Sequence, residues 1–193
     1  MEELQNLRNK VLSYTSVDPV ILTNELAKYT RLTLKKGEHL VKPSEIASQF
    51  YYLEQGCICY YKEEDGEANV LEFYTEDVFF TDLPSYVNQT PSRCYLKAIE
   101  PCVVFAVEKS VVEASFKKSH ELERFGRLSM QEAFIKLFSR VERMNIKSNE
   151  ERYLRILEKR PDLFQRVPNY LIASYLGMSA VGLSKLKSRL AKN

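Results

Sequence analysis

The chain has 193 residues, is 45% hydrophobic and 28% charged, and carries a net charge of +2; these are the proportions of a globular protein with room for one ordinary domain and a small one. No run of about 18 apolar residues occurs, which excludes a membrane-spanning helix. The charged, amphipathic start MEELQNLRNKVLSYTS is unlike a signal peptide, so a cytoplasmic protein with no membrane partner is expected.

The first 29 residues read as helical. Leu4, Leu7 and Val11 are spaced by three and four, and Asp18-Pro19 is an N-cap and first-turn pair ahead of Ile21, Leu22 and Leu26. From Thr30 the period changes to alternation. Strands are expected at Arg31–Leu34, Gln49–Leu53, Cys57–Lys62, Asn69–Tyr74, Arg93–Ile99 and Cys102–Val107. Asp65-Gly66 between two of them is a hairpin signal. Many short strands at close intervals indicate a sandwich or barrel rather than a parallel sheet. Thr75–Ser92 is the longest segment without clear periodicity, and long irregular loops in compact domains are usually functional. Cys57 and Cys59 would share one strand face; no CxxC spacing occurs, and all four cysteines read as reduced, buried thiols.

Ser119–Lys147 reads as one long amphipathic helix, about 43 Å at 1.5 Å per residue. Phe134, Leu137, Phe138 and Val141 form its apolar stripe. Such a helix between unlike modules is either a dimer seam or a cover over its own domain's core. Beyond it the charge turns basic: from Ser148 to Asn193 nine Lys/Arg oppose four Asp/Glu, an excess of five that leaves the preceding residues at −3. A basic end on a mildly acidic body suggests a polyanionic partner.

The last segment, NYLIASYLGMSAVGLSKLKSRLAK, contains two short helices about a turn. Gly177 can take positive φ and end the first helix, and Ser179 is placed to cap the second. Leu183, Leu186 and Leu190 form the buried face of that helix. Ser184, Lys185, Lys187, Ser188 and Arg189 line the other. This pattern describes a helix-turn-helix, against the plainer reading of an αα-hairpin that only packs. Metal-dependent enzymes of double-sheet rolls need several converging His and carboxylates. With only His39 and His120 present, and no nucleophile or P-loop motif, the chain does not read as an enzyme. His39, beside Gly37, is expected at the surface.

Tyr51–Gly56, Asp65-Gly66, Ile99–Val107 and Leu171–Leu190 together resemble Crp/Fnr-type transcription regulators. The resemblance implies an α+β chain in three parts: a cyclic-nucleotide-binding-like jelly roll with N-terminal helices (1–118), a dimerisation helix (119–147) and a DNA-binding helix-turn-helix (148–193). It implies a homodimer on double-stranded DNA, with Ser179, Ser184 and Lys185 facing bases or phosphates and Lys187 and Arg189 nearby. RNA polymerase and an unidentified small effector are further partners it suggests.

Three departures from the family's pattern matter. Ala180 and Val181 stand where many relatives carry a polar or acidic base-reading pair. The sequence stops directly after the second helix, without the usual β-hairpin wing, so phosphate anchoring would rest on Tyr170, Ser174 and the lysines. The phosphate loop is degenerate. Phe80, Thr81, Asp82, Ser92 and Arg93 align with it, but Phe80 replaces a glycine, Asp82 would repel an anion, and the Ser/Arg order is reversed. A cyclic nucleotide is therefore disfavoured as cofactor, and another effector or a ligand-free roll is expected. The alternative is a ligand-sensing or protein-interaction dimer whose DNA-binding module has decayed.

Overall fold

The structure, a computed structural model, describes residues 2–145 and 148–191. Ile146 and Lys147, read as the end of the long helix, and Lys192 in the last segment lie outside the described residues. Helices α1 (Gln5–Tyr14) and α2 (Pro19–Leu26) come first. Asp18 caps α2 as its spacing predicts, accepting from the N–H of Val20 at 2.8 Å and of Ile21 at 3.1 Å.

Eight strands follow: β1 (Thr30–Leu34), β2 (His39–Val41), β3 (Gln49–Gln55), β4 (Ile58–Glu64), β5 (Glu67–Tyr74), β6 (Val78–Phe80), β7 (Tyr95–Ala98) and β8 (Cys102–Glu108). They form two antiparallel sheets, in the orders β1-β8-β3-β6 and β2-β7-β4-β5, which is a jelly roll. The β4–β5 hairpin turns on Asp65 and Gly66, both at positive φ, as the Asp-Gly pair requires.

Strand alternation sorts the side chains. Tyr51, Leu53, Ile58, Leu96, Val104 and Ala106 point into the roll. Tyr52 and Phe105 point out of the first sheet, into a cluster with Leu7, Val11, Leu22, Leu122 and Phe125. Cys57, Cys59, Tyr61, Val70 and Phe73 point out of the second sheet and meet the C-terminal helices. Cys57 and Cys59 do share a face, and burial pushes both thiols up, Cys59 to about 12. Both sheets are thus apolar on both faces, and helices cover each outer side.

Thr75–Ser92 is irregular only in part. It contains β6, paired with Tyr51–Leu53, and a short helix α3 (Leu83–Asn88) with Pro84 in its first turn. Three strand residues and six helical ones are too few to show a period. Helix α4 (Lys109–Lys118), a ten-residue segment that the strand-to-helix reading passed over, ends at Ser119. Ser119 is extended there and accepts from the N–H of Leu122 at 3.3 Å, so the long helix α5 begins at His120 and runs to Met144. His39 is not a free surface residue. It is half-buried in β2 with its ring 5.5 Å from that of Tyr95, and burial, then Lys97 and Lys42, lower its pKa.

Four helices close the chain: α6 (Asn149–Lys159), α7 (Leu163–Arg166), α8 (Asn169–Leu176) and α9 (Ala180–Leu190). Among the described residues no helix is long and apolar enough to cross a membrane.

Gly56, in the β3–β4 turn, has φ +102, and a Cβ there would lie 2.5 Å from Cys102 Sγ and 2.7 Å from the Pro101 carbonyl oxygen. Both the dihedral and the space require glycine. Gly56→Ala should cost about 2–4 kcal/mol, read as a lowered urea midpoint at unchanged slope. An unshifted midpoint would show that the turn is not held this tightly.

Candidate nucleic-acid interface and its attachment to the roll

Helices α8 and α9 meet at the turn the sequence predicts. Gly177 has φ +68, and the N–H of Met178 reaches back to the Ala173 carbonyl at 3.0 Å, so the first helix ends in a left-handed cap. The Ser179 hydroxyl accepts from the N–H of Gly182 at 3.1 Å and starts α9. Leu183 and Leu186 are buried and Leu190 half-buried against α8 and its neighbours. Ser179, Ser184, Lys185 and Ser188 are exposed along one side of α9, and Val181, 65% exposed, sits at its first turn. Tyr170 is exposed on α8.

Three of the residues expected at a DNA surface are engaged within the chain. Ser174 donates to the Ala68 carbonyl at 2.6 Å and accepts from the N–H of Val70 at 2.9 Å, so its hydroxyl belongs to β5 and not to a phosphate. Lys187 donates to Asn169 Oδ1 at 2.6 Å and lies over the Phe164 ring. Arg189 pairs with Glu150 of α6. Helical periodicity places these side chains on the polar side but says nothing of which partners reach them.

What fastens α6–α9 to the roll escaped sequence reasoning altogether. Arg160 donates to Glu72 at 3.0 Å and to the Phe73 carbonyl at 2.8 Å. Arg166 forks onto Glu76 at 2.9 and 2.6 Å and also pairs with Glu100. Tyr175 donates to Glu72 at 2.9 Å, and its ring meets Phe73 edge-on at 5.2 Å. Under these bonds the apolar side chains of α6–α9 and of β4–β5 form one continuous cluster. The partners are 66 to 90 residues apart for Arg166, so no local pattern signals them. Burial would push the Glu76 carboxyl up, but the Arg166 fork and the backbone N–H of Gly56 outweigh it and hold the group below its ordinary range.

Inside the roll, the five aligned phosphate-loop residues do not form a cradle. Phe80 packs among aromatic rings, 5.4 Å from Tyr51 and 4.9 Å from Tyr74. Thr81 donates to the Gln49 carbonyl at 2.8 Å. Asp82 is 2% exposed, and accepts from the Tyr60 hydroxyl at 2.9 Å and from Ser92 at 2.5 Å. Arg93 points outward and is exposed. The buried charge at this position is therefore a carboxylate, and the arginine stands outside. Burial, then Cys94 and Asp82 beside it, push the Tyr60 phenol far up.

Among the described side chains, helix α5 is buried only at its start, where Leu122 and Phe125 join the cluster beneath α1 and α2. Beyond it Phe134 (66%), Leu137 (55%), Phe138 (59%) and Val141 (49%) are exposed, and Met130 and Ile135 extend the apolar surface. Among the described residues no group of three or more His, Cys, Asp and Glu is arranged to hold a metal ion.

Residues 31–119, covering the roll, match the cyclic nucleotide-binding domain family. No curated protein matches the sequence. The fold is that of several solved regulators. The chain is 18% identical to the c-di-GMP responsive global regulator CLP of Xanthomonas campestris, with a TM-score of 0.70 over 91% of this chain and 92% of that one. It is 18% identical to FixK2 from Bradyrhizobium japonicum, with a TM-score of 0.70 over 85% of each chain. The sensor domain of the transcriptional regulator DNR from Pseudomonas aeruginosa is 21% identical, with a TM-score of 0.57 over 75% of this chain and 93% of that domain.

The Arg166 fork makes the attachment sensitive to acid. A carboxyl held low in the folded state stabilises it above the ordinary Glu range, near pH 4.3, and that stabilisation is lost as pH falls through the lowered value. At neutral pH Arg166→Gln should cost about 1–2 kcal/mol, allowing for partial exposure. The gap between wild type and variant should shrink as pH falls through the carboxylate range. Urea unfolding at several pH values measures it; a gap that stays constant with pH would show that Glu76 is not the partner that matters.

Proposed function

We propose that the chain is a DNA-binding transcription regulator of the Crp/Fnr type, acting as a homodimer that reads a two-fold-related site with α9. The observation that carries this reading is a serine-capped helix after a glycine turn, with Ser184, Lys185 and Ser188 exposed on one side, attached to a jelly roll of the cyclic nucleotide-binding kind. In that geometry α9 is the recognition helix. Lys185 acts on phosphates, while Ser179, Ser184 and Tyr170 reach bases or backbone. Val181 offers a methyl-bearing surface for thymine in place of a hydrogen-bonding pair. The regulatory function of the fold relatives points the same way.

The α5 stripe supports the homodimer. Each large apolar side chain left in water forgoes about 1.5–3 kcal/mol of burial, and four of them in register, Phe134, Leu137, Phe138 and Val141, make a face that a second copy of α5 would cover. The roll is proposed not to take a cyclic nucleotide. A ligand phosphate would have to enter beside the Asp82 carboxylate, with Arg93 facing away, and burying two anions together without a cation is strongly unfavourable.

Fluorescence anisotropy on sheared duplex DNA over a salt series tests DNA binding. Log affinity should fall with log salt by about 0.9 per phosphate contact, and Lys185→Glu should weaken binding to every duplex and flatten the slope by about 1. Affinity unchanged by Lys185→Glu would sink the docking face, and negligible binding at low salt would favour the decayed module. In sedimentation, Phe134→Glu with Phe138→Glu should convert a dimer to a monomer; a monomeric wild type would remove the two-fold geometry.

A further inference from the structure

A cavity of 110 Å³ lies beneath α5, on the side of the roll away from α6–α9. Its floor is the outer face of β3 and β8, at Phe50 and Val107, and its walls are α1, α2, α4 and the first half of α5. The lining is almost wholly apolar. The main polar feature is on one wall, where Glu25 accepts from Lys28 at 2.5 Å and from Ser115, so its charge is already neutralised. On the opposite side α5 passes so close to α4 that a Cβ on Gly126 would lie 2.3 Å from the Phe116 ring. Ser129 and Met130, one turn on, form the mouth.

We infer that this cavity is a binding site for a small, neutral, mainly apolar molecule. Its size is somewhat below that of an engineered apolar cavity of about 150 Å³ that binds benzene, which sets the occupant at about the size of a single small ring, roughly six non-hydrogen atoms. Water gains little there, because it needs two to four polar partners and most of the lining is hydrocarbon; besides the neutralised Glu25 cluster, the lining residues with polar groups are Tyr29, Tyr86 and Ser129. A charged ligand finds no free counter-charge. The site is too small to receive a segment of a macromolecule.

The position gives the site a consequence. Met130 at the mouth is followed by Phe134, Leu137 and Phe138 on the exposed stripe, and the Phe116–Gly126 contact fixes where α5 crosses α4. An occupant pressing on Phe116 and Phe125 shifts α5 relative to the roll and so alters self-association. This second step rests on the proposed homodimer; the binding itself does not.

The test uses the full chain with phenol and benzene as probes. Heteronuclear NMR should show saturable shifts at Phe116, Phe125 and Met130, and not at Tyr60 or Tyr74 inside the roll. Two filled variants, Ser129→Leu and Val112→Phe, should each weaken probe binding at least tenfold while remaining folded by circular dichroism. Absence of saturable shifts, or shifts that survive in both folded variants, would overturn the site. Sedimentation with saturating phenol should change the self-association constant at least fivefold, within the usual range of coupling between sites. An unchanged constant in a protein that does dimerise overturns the coupling alone, and a protein that binds phenol but never dimerises refutes the homodimer and leaves the cavity site standing.

Discussion

Two sheets with apolar side chains on both faces impose the architecture. Alternation along β3 sends Tyr51 and Leu53 inward and Tyr52 outward; along β4 it sends Ile58 inward and Cys57, Cys59 and Tyr61 outward. A sheet that is apolar on its outer side must be covered. The N-terminal helices with the start of α5 cover one sheet, and α6–α9 cover the other. The putting of helices outside both sheets is why the glycine turn of α8 and α9 is held in a defined place and does not swing on a tether.

The β5–β6 turn joins these layers. Glu76 there receives Arg166 from α7, Thr75 lies 3.3 Å from Arg160, and Asp77, at φ +61, accepts from Tyr52 at 3.0 Å and pairs with Lys10 of α1 at 3.3 Å. Three residues therefore touch the N-terminal helices, the roll and the C-terminal helices at once. The apolar cluster supplies most of the attachment energy, because it is dry, while the ion pairs are partly exposed and fix its register. A disturbance of the roll that moves this turn reaches both helical layers.

The roll interior has a different character from the outer layers. Tyr51, Tyr60, Tyr74 and Phe80 fill it with rings, and the hydrogen bonds that Tyr60 and Ser92 donate to Asp82 satisfy polar atoms among them. A carboxylate buried with two hydroxyl donors is a stable arrangement, and it takes up donors that an incoming anion would need. A largely apolar unfilled volume lies beneath α5, outside the roll, between the outer face of β3 and β8 and the helices over it.

Elements whose signal is local can be read from the amino-acid order alone. Asp18-Pro19, Asp65-Gly66, Gly177 and Ser179 each act through backbone within four residues, and the alternation of QFYYL and CICYYK is readable at period two; all of these are found where the pattern put them. The remaining features depend on contacts between residues distant in the chain. β6, α3 and β2 are too short to carry a period and exist because neighbouring strands and loops complete their hydrogen bonds. Ser174 looked like a phosphate anchor until β5 was seen to hold its hydroxyl, 104 and 106 residues away. Arg160 and Arg166 carry no local signal for the same reason: Glu72, Glu76 and Glu100, with which they pair, lie far along the chain, and sequence patterns record neighbours in number, not neighbours in space.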